Sequence, residues 1–174
     1  MDIKGVLIIG LGKSGFAAAK LADRHNIPVY VTEQKRHKAN EDKFKKLDEL
    51  NIPYEEGNSD KFFSKCNLAV ISPGIDPKNN YIKRVEKNMK IISELEFAYM
   101  FKKKSQKIIG ITGTNGKSTT TTIIYQLLKE DDKKAALTGN IGYPLSDYID
   151  KDYEYFACEI SSYQLEQIEN FKSD

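Results

Sequence analysis

The chain has 174 residues, 40% of them hydrophobic, with 27 basic side chains against 25 acidic ones and a formal net charge of +2. That is enough apolar material for a core in one domain or two small ones, and the balanced, dispersed charge leaves no basic footprint for nucleic acid. Cys66 and Cys158, the two cysteines, lie in or beside apolar segments and read as small reduced hydrophobes rather than a disulfide or metal set, and no apolar run approaches the ~20 residues of a membrane span, so a cytoplasmic protein without a membrane partner is expected.

Strand-like and helix-like segments alternate from the start, the pattern of an α/β protein with a parallel sheet. Val6 to Ile9 is a continuous apolar run, as for a strand covered on both faces. It leads into Gly10-Leu11-Gly12-Lys13-Ser14-Gly15, a Gly-x-Gly-x-x-Gly turn, and then a helix expected from Lys13 to Arg24, whose Ala17, Ala18, Ala19 and Ala22 allow close approach to a sheet. Such a turn before a helix suits a diphosphate. Glu33, ending a second strand that starts at Val29, stands where an NAD-type site holds ribose hydroxyls, and the same logic serves any nucleoside diphosphate, UDP included.

A second helix carries Phe44, Leu47 and Leu50 before Asn51-Ile52-Pro53 breaks it, and a short strand is expected near Pro53 to Glu55. Leu68 to Ser72 reads as a strand ending in Ser72-Pro73-Gly74-Ile75-Asp76, at the sheet edge where ligands bind. A helix from Tyr81 to Lys87, a strand around Ile91-Ile92 and a helix from Glu94 to Phe101 follow. The polar stretch from Lys102 to Lys107 marks a boundary, giving domains over residues 1–103 and 104–174.

Residues 108 to 118, Ile-Ile-Gly-Ile-Thr-Gly-Thr-Asn-Gly-Lys-Ser, are the most informative stretch. An apolar strand runs into a glycine-rich turn, where backbone N–H groups can converge on an anion, Lys117 supplies a point charge and Ser118 a hydroxyl for magnesium. A nucleoside triphosphate is the expected ligand. The general P-loop pattern needs a glycine where this chain has Ile111; the available ones are Gly110 and Gly113. The next helix carries Ile123, Ile124, Leu127 and Leu128 on one face, after a run from Thr119 to Thr122 whose hydroxyls are positioned for phosphate oxygens or orphan backbone donors. A strand from Ala135 to Leu137, a loop from Thr138 to Pro144, a buried strand from Tyr155 to Glu159 and a helix from Ser161 to Glu169 complete the chain. The few strands of the second sheet suggest an N-terminal fragment of a longer protein.

The short form Gly113-Thr114-Asn115-Gly116-Lys117-Ser118 resembles the ATP loop of the Mur ligases and folylpolyglutamate synthetases. Taken with Ile8 to Gly15, Ser72 to Ile75, Gly139-Asn140-Ile141-Gly142 and Glu159-Ile160-Ser161-Ser162-Tyr163-Gln164-Leu165-Glu166, it resembles the D-glutamate-adding branch of the Mur ligases from end to end. The resemblance implies a Rossmann-like parallel-sheet domain for a UDP-linked substrate, followed by the truncated start of a P-loop central domain. It implies ATP-dependent joining of D-glutamate to UDP-N-acetylmuramoyl-L-alanine through an acyl phosphate, in peptidoglycan precursor synthesis, with Mg²⁺ as cofactor and the fragment not competent by itself.

Carried over residue by residue, the resemblance puts ATP on Gly113, Thr114, Asn115, Gly116, Lys117, Ser118 and Thr119, magnesium on Ser118 and Glu159, and chemistry on Lys117, Asn140 and Glu159. It puts the UDP-linked substrate against Gly12, Lys13, Ser14, Glu33, Ser72, Pro73 and Gly74, with Asn140, Ser161, Ser162 and Gln164 near the reacting end. Two departures stand out: Thr32-Glu33 where relatives tend to have aspartate, and Thr138 where glycine is common. The alternatives are an alanine-adding or folylpolyglutamate-type ligase and a nucleotide-sensing module; the segment Glu159 to Glu166 discriminates, since a sensor has no need of a ligase-type magnesium glutamate followed by Ser-Ser-Tyr-Gln.

Overall fold

The computed structural model describes residues 2–76 and 78–174. The chain folds as two compact units, one ending at Glu94 and one spanning Leu95–Asp174.

In the first unit five strands, β1 (Val6–Ile9), β2 (Val29–Glu33), β3 (Tyr54–Glu56), β4 (Leu68–Ile71) and β5 (Lys90–Ser93), form one sheet in the order β3-β2-β1-β4-β5. Every pairing is parallel, because each strand is followed by a crossover: α1 (Lys13–Arg24), α2 (Glu41–Glu49), a 3₁₀ turn at Phe63–Lys65 and α3 (Asn80–Glu86). β1 and β4 are buried along their whole length, which accounts for their unbroken apolar runs. Leu7, Ile9, Phe62, Ala69, Ile71, Ile82 and Val85 pack into one core cluster on one side of the sheet. Burial pushes the Cys66 thiol in that cluster up to about 12, so it stays a neutral hydrophobe. The alanines of α1 are buried, and a Cβ on Gly15 would lie 2.0 Å from the Gly10 carbonyl oxygen, so glycine is required for helix and turn to pack this closely.

Chain order reverses around β1: β2 lies on one side of it and β4 on the other. In an open parallel sheet that switch opens a crevice beyond the strand C-terminal ends, and here those ends carry the Gly10 to Gly15 turn and Ser72.

The second unit has β6 (Lys107–Ile111), β7 (Ala135–Gly139) and β8 (Tyr155–Glu159) in a parallel sheet ordered β6-β8-β7, with α5 (Lys117–Glu130) between β6 and β7 and a short α6 (Ser162–Leu165) after β8. The division between units falls at the start of α4 (Glu94–Tyr99), ahead of the polar stretch. That stretch serves the second unit. Gln106 is 1% exposed and its Nε2 donates to the carbonyls of Ile149, Lys151 and Tyr153, stapling the segment before β8.

One expectation needs correcting. The helix expected from Ser161 to Glu169 stops at Leu165, because the backbone N–H groups of Glu169, Asn170 and Phe171 point at the buried Glu96 carboxylate instead of up a helix. The apolar stripe of α5 is largely uncovered, with Ile123 50% and Leu127 58% exposed.

Candidate functional site

In each unit the glycine-rich turn and the strand ends beside it bring the candidate site side chains to the C-terminal edge of the sheet. In the first, Gly10 has a φ of +88°, a conformation that only glycine adopts without strain. The turn is then held by side chains from three directions. Ser72 Oγ donates to the Gly10 carbonyl at 2.9 Å, the Leu11 N–H donates to Glu33 Oε2 at 2.6 Å, and Lys43 Nζ donates to the Leu11 carbonyl at 2.9 Å. The second Glu33 oxygen accepts the N–H of Gln34 at 2.9 Å. Glu33 therefore supports the turn from beneath.

Gly12 caps α1 without any side-chain partner, and a Cβ there would meet only Ser72 Oγ at 3.9 Å. The space above Gly12 is thus open for a ligand, with Lys13 exposed and Ser14 partly exposed beside it. Pro73 and Gly74 continue the same rim after Ser72. The sequence motifs do not include Lys43, and only the fold brings it here.

In the second unit Gly113 and Gly116 have φ of +137° and +76°, and a Cβ on either would meet nothing within 4 Å. These glycines serve backbone conformation and leave an open cradle. Gly116 caps α5, a 14-residue helix whose positive end faces the loop. Lys117 Nζ donates to the carbonyls of Gly113 at 2.8 Å and Thr114 at 3.4 Å, lying across the loop it belongs to. Thr114, Asn115 and Thr119 are exposed around it. The hydroxyls of Thr121 and Thr122 donate to the carbonyls of Lys117 and Ser118, so these two back-bond into the helix and do not serve the orphan donors.

Glu159 joins the elements of this edge. β8 is the central strand, and Glu159 is in register with Ile111 of β6 and Gly139 of β7. Its carboxylate is buried and accepts from Ser118 Oγ at 2.6 Å and from Asn140 Nδ2 at 2.8 Å. Asn140 is fixed in turn, its N–H donating to the Glu159 carbonyl at 2.9 Å. The close approach needs Gly139, where φ is +97° and a Cβ would lie 2.1 Å from that carbonyl oxygen. Nearby, Thr138 is fully buried with its hydroxyl unpartnered.

After β8, Ser161 and Gln164 form a capping box: Ser161 Oγ accepts the Gln164 N–H at 3.4 Å, and Gln164 Oε1 accepts the Ser161 N–H at 3.0 Å. Ser162 is exposed next to them. The structure thus brings Ser118 and Asn140 into direct contact with Glu159 and places Lys117 beside Ser118 at the start of α5, while Ser161 and Gln164 face each other.

Among the described residues no group of three or more His, Cys, Asp or Glu could hold a metal. A hard cation fits the Ser118–Glu159 pair in another way, with one carboxylate and one hydroxyl from the protein and phosphate oxygens and water for the rest, which is how magnesium is commonly bound. No helix of the described residues is long and apolar enough to cross a membrane.

Comparison with known proteins agrees with this layout. The MurD N-terminal domain family matches residues 5–81, and the Mur ligase middle domain family matches residues 111–173. The chain is 39% identical to the UDP-N-acetylmuramoylalanine–D-glutamate ligase of Caldicellulosiruptor bescii over 99% of its own length and 39% of that relative. It is 40% identical to the enzyme of the same name from Bacillus subtilis, over 91% of this chain and 36% of that relative. The chain thus spans well under half the length of these relatives.

Among solved structures, a murein peptide ligase from Psychrobacter arcticus superposes with a TM-score of 0.60 at 19% identity, covering 91% of this chain and 37% of the other. The UDP-N-acetylmuramate-alanine ligase MurC from Thermotoga maritima gives 0.54 at 20% identity, covering 90% and 37%. At such identities these likenesses speak to the fold.

Proposed function

The chain belongs to the Mur ligase family, and from that premise we propose that it serves the ATP-dependent addition of D-glutamate to UDP-N-acetylmuramoyl-L-alanine, a step of peptidoglycan precursor synthesis. The observation that carries the proposal is the contact of Glu159 with Ser118 and Asn140 beside the Gly113 to Lys117 loop. A buried carboxylate at a strand end, held against the hydroxyl that follows a phosphate-loop lysine, suits a magnesium nucleotide. The name that the relatives carry supports D-glutamate as the amino acid.

In this reading the first unit holds the UDP part of the substrate on the Gly10 to Gly15 turn, with Lys13, Ser14 and Ser72 to Gly74 as its rim. Glu33 keeps the turn in shape. In the second unit the backbone N–H groups of Gly113 to Ser118 and the start of α5 cradle the triphosphate, and Lys117 leaves its loop carbonyls for the β- and γ-phosphates. Ser118 and Glu159 would hold Mg²⁺, which when bound neutralises charge on the transferring phosphoryl.

The substrate carboxylate attacks the γ-phosphorus and ADP leaves; the amine of D-glutamate then attacks the acyl carbon and phosphate leaves. Asn140 keeps the Glu159 carboxylate turned toward Ser118, and its exposed side chain faces the reacting end together with Ser161, Ser162 and Gln164. Loop, lysine and metal residues act by positioning and by stabilising charge. The purified 174-residue chain by itself is expected not to complete ligation, because it covers 39% of the length of a relative with that name.

Thermal-shift titration of the chain with UDP, UDP-N-acetylmuramoyl-L-alanine, NAD and ATP with magnesium tests the reading. A ligand at 100 times its Kd should stabilise its unit by about 2.7 kcal/mol. Stabilisation by the UDP compounds and by magnesium ATP is expected; NAD binding more tightly than UDP-N-acetylmuramoyl-L-alanine would overturn the assignment of the first unit.

A further inference from the structure

The start of α2 is fastened by its own sequence. Arg36 makes a two-pronged contact with Glu41 at 2.8 and 2.7 Å, and its guanidinium lies 4.8 Å from the centre of the Phe44 ring. Phe44 is fully buried against Tyr54, their rings 4.9 Å apart, and Leu47 is buried one turn on. With Phe44 and Leu47 facing inward, Lys43 is turned toward the glycine turn, where its ammonium meets the Leu11 carbonyl at 2.9 Å.

This is a costly place for a cation. Burial pushes the Lys43 ammonium below the ordinary lysine value, Glu33 works against that, and Lys13 adds to it. The charged side chains acting on it are therefore one acid and a second lysine, and both Glu33 oxygens already accept backbone N–H groups. Lys43, Lys13 and Glu33 sum to one positive charge at the mouth of a turn whose helix adds a further positive end. An anion seated there would offset both the desolvation of the ammonium and the lysine–lysine repulsion, and an ammonium has three donors, one of which the Leu11 carbonyl takes.

We propose that Lys43 is a ligand-binding residue of the first unit, a cation brought by α2 to grip, together with Lys13, the diphosphate of a nucleoside diphosphate seated over Gly12. The inference rests on the reading of the Gly10 to Gly15 turn as a diphosphate site. It adds a residue from a helix that the turn motif does not include, and it separates two roles, Glu33 shaping the turn and Lys43 meeting the phosphates.

The test is titration of the 174-residue chain with UDP and with uridine, followed by NMR at two salt concentrations, for the native chain and for K43M and K43R. Without the charge-assisted hydrogen bond from the ammonium, K43M should bind UDP about 10-fold more weakly, keep uridine within about twofold, and show a flatter salt dependence of UDP binding. K43R should recover most of the UDP affinity. Loss of UDP and uridine in equal measure would show Lys43 to be only a clasp on Leu11, and unchanged UDP binding would show it to be idle; either result overturns the proposal. Failure of the site reading looks different: UDP would not bind the native chain, or a Gly12→Val change would leave UDP binding intact.

Discussion

Both oxygens of Glu159 are engaged by side chains from other elements, Ser118 on α5 and Asn140 after β7. Exchange to glutamine keeps the shape and removes the charge, and its amide still satisfies both neighbours, Oε1 accepting from Asn140 Nδ2 and Nε2 donating to the Ser118 hydroxyl. For E159Q we expect magnesium-dependent ATP affinity to fall at least about 10-fold with UDP affinity unchanged; equal ATP binding by the two proteins in calorimetry would remove Glu159 from the nucleotide site. Two glycines make a matched pair. Gly139→Ala puts a Cβ 2.1 Å from the Glu159 carbonyl oxygen at a φ of +97°, and should cost about 3 kcal/mol in urea unfolding. Gly12→Ala meets only Ser72 Oγ at 3.9 Å and should leave unfolding within about 0.5 kcal/mol of native while weakening UDP. At this scale the sequence is readable where chemistry is written locally. A glycine turn ending in Lys117-Ser118 and an acid closing the apolar run of β8 stand out in one dimension. Lys43 does not, because Lys43, Lys45 and Lys46 look alike until the burial of Phe44 and Leu47 decides which of them faces the turn.

The elements of the first unit are legible because β1, β2, β4 and β5 each hold an apolar run and each helix has a clear buried face, whereas β3, Tyr54-Glu55-Glu56, carries no such run. The end of the second unit is not legible, since the element that shapes it is far away in sequence. Glu96 of α4 is buried and accepts the N–H groups of Glu169, Asn170 and Phe171 and the Asn170 side chain at 2.9 to 3.1 Å. A helical pattern after Ser161 cannot reveal such a competitor for the backbone donors. Burial pushes the Glu96 carboxyl up, but those N–H groups outweigh it and hold it below the usual carboxylate range. A carboxyl lowered by folding stabilises the fold at every pH above its ordinary value of 4.5, and that contribution fades as pH falls toward the lower native value. E96Q should therefore lose about 2 kcal/mol at pH 7. The gap from native should shrink as pH falls below 4.5, and tryptic cleavage after the neighbouring Lys172 should be faster in the variant at neutral pH. A pH-independent gap would mean that the charge of Glu96 is not what holds the segment.

At the scale of the whole molecule the two units differ in how completely their helices are covered. α1 buries seven of its 12 residues, Gly15 through Ala19 together with Leu21 and Ala22. α5 buries only Thr121 of its 14, and leaves Ile123 and Leu127 at least half exposed. Helix stability in a folded protein comes mostly from packing of the apolar face, with propensity a small term, and the β-branched run from Thr119 to Ile124 gives α5 little of the latter. The amphipathic pattern of α5 correctly marks it as a helix, yet a pattern records which face is apolar and not whether anything covers it. The second unit should accordingly open more easily than the first. In hydrogen exchange of the 174-residue chain, amides of α5 should be protected at least about 10-fold less than those of α1. Magnesium ATP, by binding the loop that caps α5, should raise protection in α5 and leave α1 unchanged, whereas UDP should do the reverse. Equal protection of the two helices without ligand would show that the exposed face of α5 carries no stability cost, and a response of both helices to either nucleotide would show that the units open as one.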